Sequence, residues 1–311
     1  MPEVVSFGIL VADLIAYPIK ELPEKGKLVL AERMQLSTGG GAANTAVGLK
    51  KLGIDVAIIG RVGTDGLGDF VINKLNEAGL NTAGIKRDPD KGTCSCMVLV
   101  HPDGERSFIY YHGANTSLKA EDVDFSLLKG CKVFHVGYAL FLPSFDGPPA
   151  GELLKKIQQR GCLTVVDTAW DNEGKWMTTL EPYLPYTDVF LPSLNEAQML
   201  SGKEEPPEIA QFFLDCGVKV VGIKLGSQGS YVQSQEEKIW APHFKVNPVD
   251  TTGAGDSFVA GFIAGLVKGW PLEQVARFAN AVGALATTGL GATAGVKDME
   301  TTLRFMEKSS Y

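Results

Sequence analysis

Eight consecutive residues, Asp250-Thr251-Thr252-Gly253-Ala254-Gly255-Asp256-Ser257, place a glycine-rich turn directly before a long apolar segment. The first turn of a helix has N–H groups without internal acceptors, and the positive end of the helix dipole lies there, so such a junction attracts anions. Asp256 falls beside that anion site, where a carboxylate can take a proton from an attacking hydroxyl. An anion cradle next to a base is what phosphoryl transfer to an alcohol needs. Taken alone, Asp-Thr-x-Gly is better explained by a helix cap and a tight turn; the complete octapeptide ahead of this helix favours chemistry. In the helix itself Phe258, Phe262 and Leu266 form one row, with Val259 and Ile263 beside it. Gly261 and Gly265 lie one turn apart, which predicts close backbone packing, and Gly269 and Pro271 end the helix.

Two further stretches carry chemistry-bearing residues. Gly39-Gly40-Gly41-Ala42-Ala43-Asn44 precedes the first helical pattern. Its glycines allow a ligand to approach the backbone, and Asn44 offers both a donor and an acceptor. Asp13 is expected where the first strand ends, and in open α/β sheets ligands bind beyond the carboxyl ends of strands. A carboxylate and an amide there suit a polyol, although a flexible loop and a turn aspartate account for the same residues singly. Gly222-Ile223-Lys224-Leu225-Gly226-Ser227-Gln228-Gly229 closes a strand with a lysine and spaced glycines, a weak pattern for nucleotide phosphates or ribose. The chain has no G-x-x-x-x-G-K-[ST] loop, no G-x-G-x-x-G fingerprint and no G-x-S-x-G elbow. Those absences argue against a P-loop ATPase, a Rossmann dehydrogenase and a serine hydrolase.

The elements that must position these groups alternate. Strands are expected at 4–11, 55–60, 133–136, 163–167, 189–191 and 218–224, and helices at 42–52, 68–78, 151–160, 207–216, 254–268 and 272–288. Residues 229–233 are expected to pair as a hairpin. Alternation of this kind predicts an α/β fold with a mainly parallel sheet and helices on both faces. Residues 28–36 and 94–111 break the rhythm, being strand-rich without helices, and Pro102-Asp103-Gly104-Glu105 is a hairpin-turn signal. These segments predict a small β lid, formed roughly from 14–37 and 92–115, on a single 1–311 domain.

Composition sets bounds on partners. The 311 residues are 45% hydrophobic, enough for a large core, and the formal charge is −7 with no basic run. Nucleic acid and anionic membranes are therefore not expected partners. The five cysteines (Cys94, Cys96, Cys131, Cys162, Cys216) fit no zinc spacing and read as thiols in a reducing cytoplasm. The four histidines are scattered. The apolar run before Asp13 has no basic leader and no cleavage site, and reads as a buried strand rather than a signal peptide. No apolar run spans a bilayer, so the expected location is cytoplasmic.

With these residues in view, the chain resembles the ribokinase (PfkB) family of carbohydrate kinases over nearly its full length. Gly39-Gly40-Gly41-Ala42-Ala43-Asn44 resembles the family's N-terminal glycine signature, and the octapeptide from Asp250 to Ser257 its C-terminal D-T-x-G-A-G-D signature. The resemblance implies a ribokinase-like fold with a β lid, ATP as donor, and magnesium. It implies Asp256 as catalytic base, with the N–H groups of Gly253, Ala254 and Gly255 as an anion hole. Asp13, Gly40, Gly41 and Asn44 would hold the sugar. Lys224, Gly226 and Gly229 match the nucleotide-side strand, and Asn280 the position near the adenine. Asp250 and Thr252 match ligands of a monovalent cation, potassium, that many members use, with residues 289–295 completing that loop. Lids of the family often pair between subunits, which implies a homodimer through apolar residues such as Met97, Leu99, Phe108 and Tyr110.

Two departures stand out. Members often carry N-x-x-E to organise magnesium; here Glu196 fits the acidic position but Ser193 replaces the asparagine, which implies a water-mediated ion. The run Asp167-Thr168-Ala169-Trp170-Asp171-Asn172 lacks the arginine that accompanies Asp-Pro-Asn in fructokinases and ketodeoxygluconate kinases. Trp170 is either a platform for a sugar or base, or a core or interface aromatic. The expected reaction is transfer of the γ-phosphate to a primary hydroxyl of a small sugar. The alternatives are a nucleoside kinase of the same family, with Trp170, Tyr111 or Phe141 clamping the base, and a non-catalytic sugar- or nucleotide-binding regulator.

Overall fold

The computed structural model describes residues 1–102 and 105–308. In chain order the elements are β1 Val4–Gly8, β2 Val11–Tyr17, β3 Arg33–Gly39, α1 Gly41–Lys51, β4 Val56–Gly63, α2 Gly66–Glu77, β5 Asn81–Asp88, β6 Ser95–Val100 and β7 Arg106–Tyr111. There follow β8 Val133–Ala139, α3 Pro148–Gln158, β9 Leu163–Thr168, α4 Met177–Leu180, β10 Val189–Phe190, α5 Leu194–Ser201, α6 Pro206–Asp215 and β11 Val220–Lys224. The last are β12 Ser230–Ser234, β13 Lys238–Ala241, α7 Ala254–Lys268, α8 Leu272–Ala286 and α9 Met299–Lys308.

Nine strands form one sheet in the order β13-β12-β11-β10-β9-β8-β1-β4-β5. From β11 to β5 the pairing is parallel, and only the β11-β12-β13 end is antiparallel. Strand β1, between β8 and β4, is buried throughout, as a parallel strand covered on both faces must be. Its side chains alternate between two cores. Val5 and Phe7 pack with α3 and α6, while Val4 belongs with α1, α7 and α8. The helix pair α7–α8 is close because of glycine: a Cβ on Gly261 would lie 2.9 Å from the Cα of Ala279.

A second sheet of four strands stands apart, in the order β3-β2-β6-β7. The expected 4–11 strand is therefore two strands in two sheets. β1 stops at Gly8, and the chain passes through Ile9 and Leu10 into β2. All of these residues are buried, so no change in polarity marks the break. Asp13 consequently lies within β2, opposite Ser37 and Cys96, rather than at the end of the first strand. Strand structure in the 28–36 segment begins only at Arg33. Strands β6 and β7 pair antiparallel around the expected turn, of which Asp103 and Gly104 lie outside the described residues. The register sets Leu36, Leu14, Met97 and Ile109 in one cross-sheet row, and Ser37, Asp13, Cys96 and Tyr110 in the row on the other face. Leu99 is buried and Tyr110 bonds inward to Cys94, so only Met97 and Phe108 of the four expected interface residues are largely exposed.

Strand β5 escapes the alternation pattern because it is a half-exposed edge rich in polar residues. Helices α4, α5 and α9 lie outside the expected set as well. Among the described residues no helix is long and apolar enough to cross a membrane. The five cysteines are free thiols, four of them buried.

Candidate active site

The site forms where β1, β8, β9 and β11 end and α1 and α7 begin. Gly253 caps α7 in the left-handed region at φ 72°, and a Cβ there would lie 2.4 Å from the carbonyl oxygen of Ala292. The N–H groups of Gly253 and Gly255 have no acceptor within the described chain, while Ala254 N–H donates to the Thr251 carbonyl at 3.3 Å. The expected three-donor cradle is thus a two-donor cradle, with the third N–H in a long turn bond.

One turn into α7, Asp256 is 3% exposed. Its Oδ2 accepts from Asn44 Nδ2 at 2.7 Å and from the Tyr138 hydroxyl at 3.2 Å. Both bonds fall on one oxygen, so Oδ1 has no partner among the described residues. Burial raises the Asp256 pKa; the Asn44 bond, the Lys224 charge and the Tyr138 bond pull against it. Asp13 faces the same space. Burial, then the charge of Asp256, raises it to about 6.

The glycine stretch makes room for these groups. A Cβ on Gly39 would lie 2.0 Å from Asp13 Oδ2, and one on Gly41 would lie 2.4 Å from the ring of Tyr138. Asn44 sits at the buried start of α1, where Thr45 Oγ1 also reaches the Asp256 carbonyl at 3.4 Å. No local motif singles out Tyr138. It lies in β8 after Gly137 with φ 68° and is half-buried, its hydroxyl against Asp256; desolvation of that hydroxyl, then the Asp256 charge, raises its pKa well above the ordinary phenol value.

On the other side of Asp256, Lys224 ends β11 and Asp167 lies near the end of β9. They bridge over β10 with Nζ to Oδ1 at 2.6 Å. Lys224 is raised: burial works against its charge, and Asp167 and Glu196 more than offset it. Burial raises Asp167, with Lys224 opposing. The lysine therefore stays charged between Asp167 and the α7 start, where a Cβ on Gly255 would lie 3.7 Å from Nζ. In sequence Asp167 is only part of a substrate run; its partner 57 residues away is invisible there.

Glu196 lies in the first turn of α5. Its Oε2 accepts from Ser193 N at 2.9 Å and from Thr168 Oγ1 at 3.0 Å. Ser193 therefore caps α5 reciprocally with Glu196. Among the described residues no group of three His, Cys, Asp or Glu is placed to hold a metal directly.

A cleft of about 460 Å³ opens beside α7, lined by Lys224, Gly226, Gly229, Gly255 and Asn280 among others. The four residues expected on the nucleotide side thus share one cavity with the glycine turn. Asn280 spends its Nδ2 on the carbonyls of Ala241 and Pro242 at 2.9 and 3.1 Å, leaving Oδ1 for a ligand. Trp170 is half exposed and meets Trp176 edge-on at 4.9 Å. Phe141 packs on Tyr110 and His112, and Tyr111 is exposed. Asp250 and Thr252 lie together in the turn before α7, where Asp250 Oδ1 accepts from Thr252 N at 2.9 Å.

This constellation, on a mostly parallel sheet with a smaller separate one, defines a phosphotransferase acting on a sugar hydroxyl. Residues 1–299 match the model of the pfkB family of carbohydrate kinases, and the chain belongs to that family. It is 29% identical over 308 residues to probable fructokinase-5 of Arabidopsis thaliana, covering 94% of this chain and 93% of that one. Among solved structures, Arabidopsis thaliana ribokinase complexed with ribose and ATP is 27% identical with a TM-score of 0.86, covering 98% of this chain and 99% of that one. A putative ribokinase II from E. coli in complex with ATP and magnesium is 27% identical with a TM-score of 0.85, over 99% and 100%.

Proposed function

We propose that the chain transfers the γ-phosphate of ATP to a primary hydroxyl of a small sugar, with Asp256 as base. The observation that carries this reading is the Asp256 carboxylate, oriented through Oδ2 by Asn44 and Tyr138 with Oδ1 unpartnered, one residue after the Gly255 N–H. The incoming hydroxyl donates to Oδ1 and loses its proton there as its oxygen attacks the γ-phosphorus, while the bond from that phosphorus to the β–γ bridging oxygen breaks and ADP leaves. The Gly253 and Gly255 N–H groups, with Lys224, receive the charge on the equatorial oxygens. Asp13, the Gly40-Gly41 backbone and Asn44 hold the sugar. Asn280 and the turn from Gly226 to Gly229 line the nucleotide cleft. The related E. coli protein binds both ATP and magnesium; here Glu196 would hold the magnesium through water, and the ion would neutralise phosphate charge.

The small sheet acts as a lid over 14–37 and 92–115, excluding water so that ATP is not hydrolysed. The exposed Met97 and Ile109 of its outer row favour a homodimer. A nucleoside would need Trp170, Tyr111 or Phe141 on its base, and the nucleosides in the acceptor panel below separate that reading from a free sugar. The intact base and anion-binding turn favour catalysis over a purely binding role.

The test is ADP formation across ribose, fructose, ketodeoxygluconate, sugar phosphates and nucleosides, with magnesium present. Turnover on a sugar is expected; ATP binding without turnover on any compound would overturn the reading. Because proton acceptance contributes about 10²–10⁴-fold, Asp256→Asn should lower kcat by at least that order while ATP binding, followed by calorimetry, persists. Full turnover in that variant would remove Asp256 as base.

A further inference from the structure

The Asp250 turn carries a side-chain cation delivered from the small sheet. Arg106, the first residue of β7, reaches across to it. Its Nη1 donates to Thr252 Oγ1 and lies 3.4 Å from Asp250 Oδ1, and its Nη2 donates to Thr251 Oγ1 at 3.4 Å. The remaining capacity of the Asp250 carboxylate is also engaged, since Oδ2 accepts from Gly291 N at 2.9 Å and so ties the turn to the 289–295 loop. That loop has its own ammonium: Lys51 Nζ donates to the Thr293 carbonyl at 2.7 Å.

Asp250 and Thr252 are the residues the family resemblance assigns to a monovalent cation, and in this chain they do not fit that role. A potassium ion needs oxygen lone pairs directed at one point. Here the side-chain oxygens of Asp250, Thr251 and Thr252 converge on a guanidinium, which is planar, permanently charged and rich in donors. A second cation beside it would compete for the same oxygens and be repelled by the same charge. The pairing is reflected in Asp250 itself. Burial alone would raise its pKa, but the bonds from Thr252 and Gly291 and the charge of Arg106 bring it below the usual carboxylate range.

We propose that Arg106 takes the place of the monovalent cation, supplying from within the chain the positive charge that steadies the turn from Asp250 to Gly255. Because Arg106 belongs to the small sheet, that charge arrives with the sheet. Arg106 is here a positioning residue: it touches the turn, not the reacting atoms. The role in catalysis rests on the kinase reading above; the ion-binding claim does not.

The full chain is melted in KCl and in tetramethylammonium chloride at equal ionic strength, as wild type, Arg106→Met and Arg106→Gln. ADP formation is followed over the same KCl series. Wild type should melt alike in both salts and turn over independently of potassium. The variants should melt higher in KCl by roughly 2–8 °C, as expected for an ion that binds only the folded state, and regain turnover as KCl rises. A potassium-specific shift in wild type equal to that in the variants would overturn the proposal, because the ion would then bind with Arg106 in place. No potassium-specific shift in any of the three would overturn it too, because there would be no cation site for the guanidinium to fill. Should wild type form no ADP with any acceptor, the kinase reading falls while the melting comparison still decides the ion site.

Discussion

Asp13 and Asp256 are two carboxylates kept in a space that penalises their charge, and the penalty has a sign. A group whose folded pKa lies above its unfolded value binds more protons in the native state. Its stabilising contribution is fully present below about pH 4 and is lost as pH rises through the folded value, which for Asp13 is about 6. Asp13→Asn should therefore be more stable than wild type at pH 8, by on the order of 1–3 kcal/mol, and most of that difference should be gone at pH 4.5. Thermal unfolding of the ligand-free protein at the two pH values checks this. Equal melting at pH 8 would mean that Asp13 is not held ionised at a cost. The same variant should lose sugar affinity, so stability and function separate at one residue. At this scale the sequence made Asp256, Asn44 and Lys224 legible, because each lies in a short motif. Tyr138, Asp167 and Arg106 were not, because each acts on a partner distant in the chain: Tyr138 on Asp256, Asp167 on Lys224 and Arg106 on the Asp250 turn.

Elements place those residues by close approach. Helix α1 starts against β8 only because Gly41 has no side chain, and the Tyr138 ring fills the space. Gly41→Ala would put a Cβ 2.4 Å from that ring, displacing Tyr138 and loosening its bond to Asp256. The fold should survive, since the clash meets a side chain rather than backbone, at a cost of about 1–3 kcal/mol for overpacking. The expected outcome is an intact melting transition with kcat lowered and ATP affinity retained. Unchanged kcat would show that Tyr138 does not orient the base. The glycine stretch and helix α7 could be read from sequence because glycine runs and helical periodicity are local signals; α7 spans Ala254–Lys268 as expected. The division of 4–11 into β1 and β2 could not, because burial is uniform across it.

At the scale of the molecule, the small sheet turns one face to the site and the other outward. The inner row carries Asp13, and the outer carries Leu14, Met97 and Ile109. An apolar outer row of this kind is expected to pair with a second copy, burying the exposed Met97 and Ile109. Light scattering at micromolar concentration should give a dimer, and Ile109→Lys should shift it toward monomer without unfolding it. A wild-type monomer under those conditions would dismiss the homodimer.

The sequence by itself determined the α/β class, the kinase family and the order of the two glycine signatures, because alternation, periodicity and contiguous motifs are properties of neighbouring residues. Only the tertiary structure decided which atoms meet. It set Asn44 and Tyr138 on one oxygen of Asp256, Lys224 on Asp167, and Arg106 on the Asp250 turn. Such contacts join strands and helices far apart in the chain, and they exist because the parallel sheet gathers its strand ends at one edge while a second sheet brings Asp13 and Arg106 beside them.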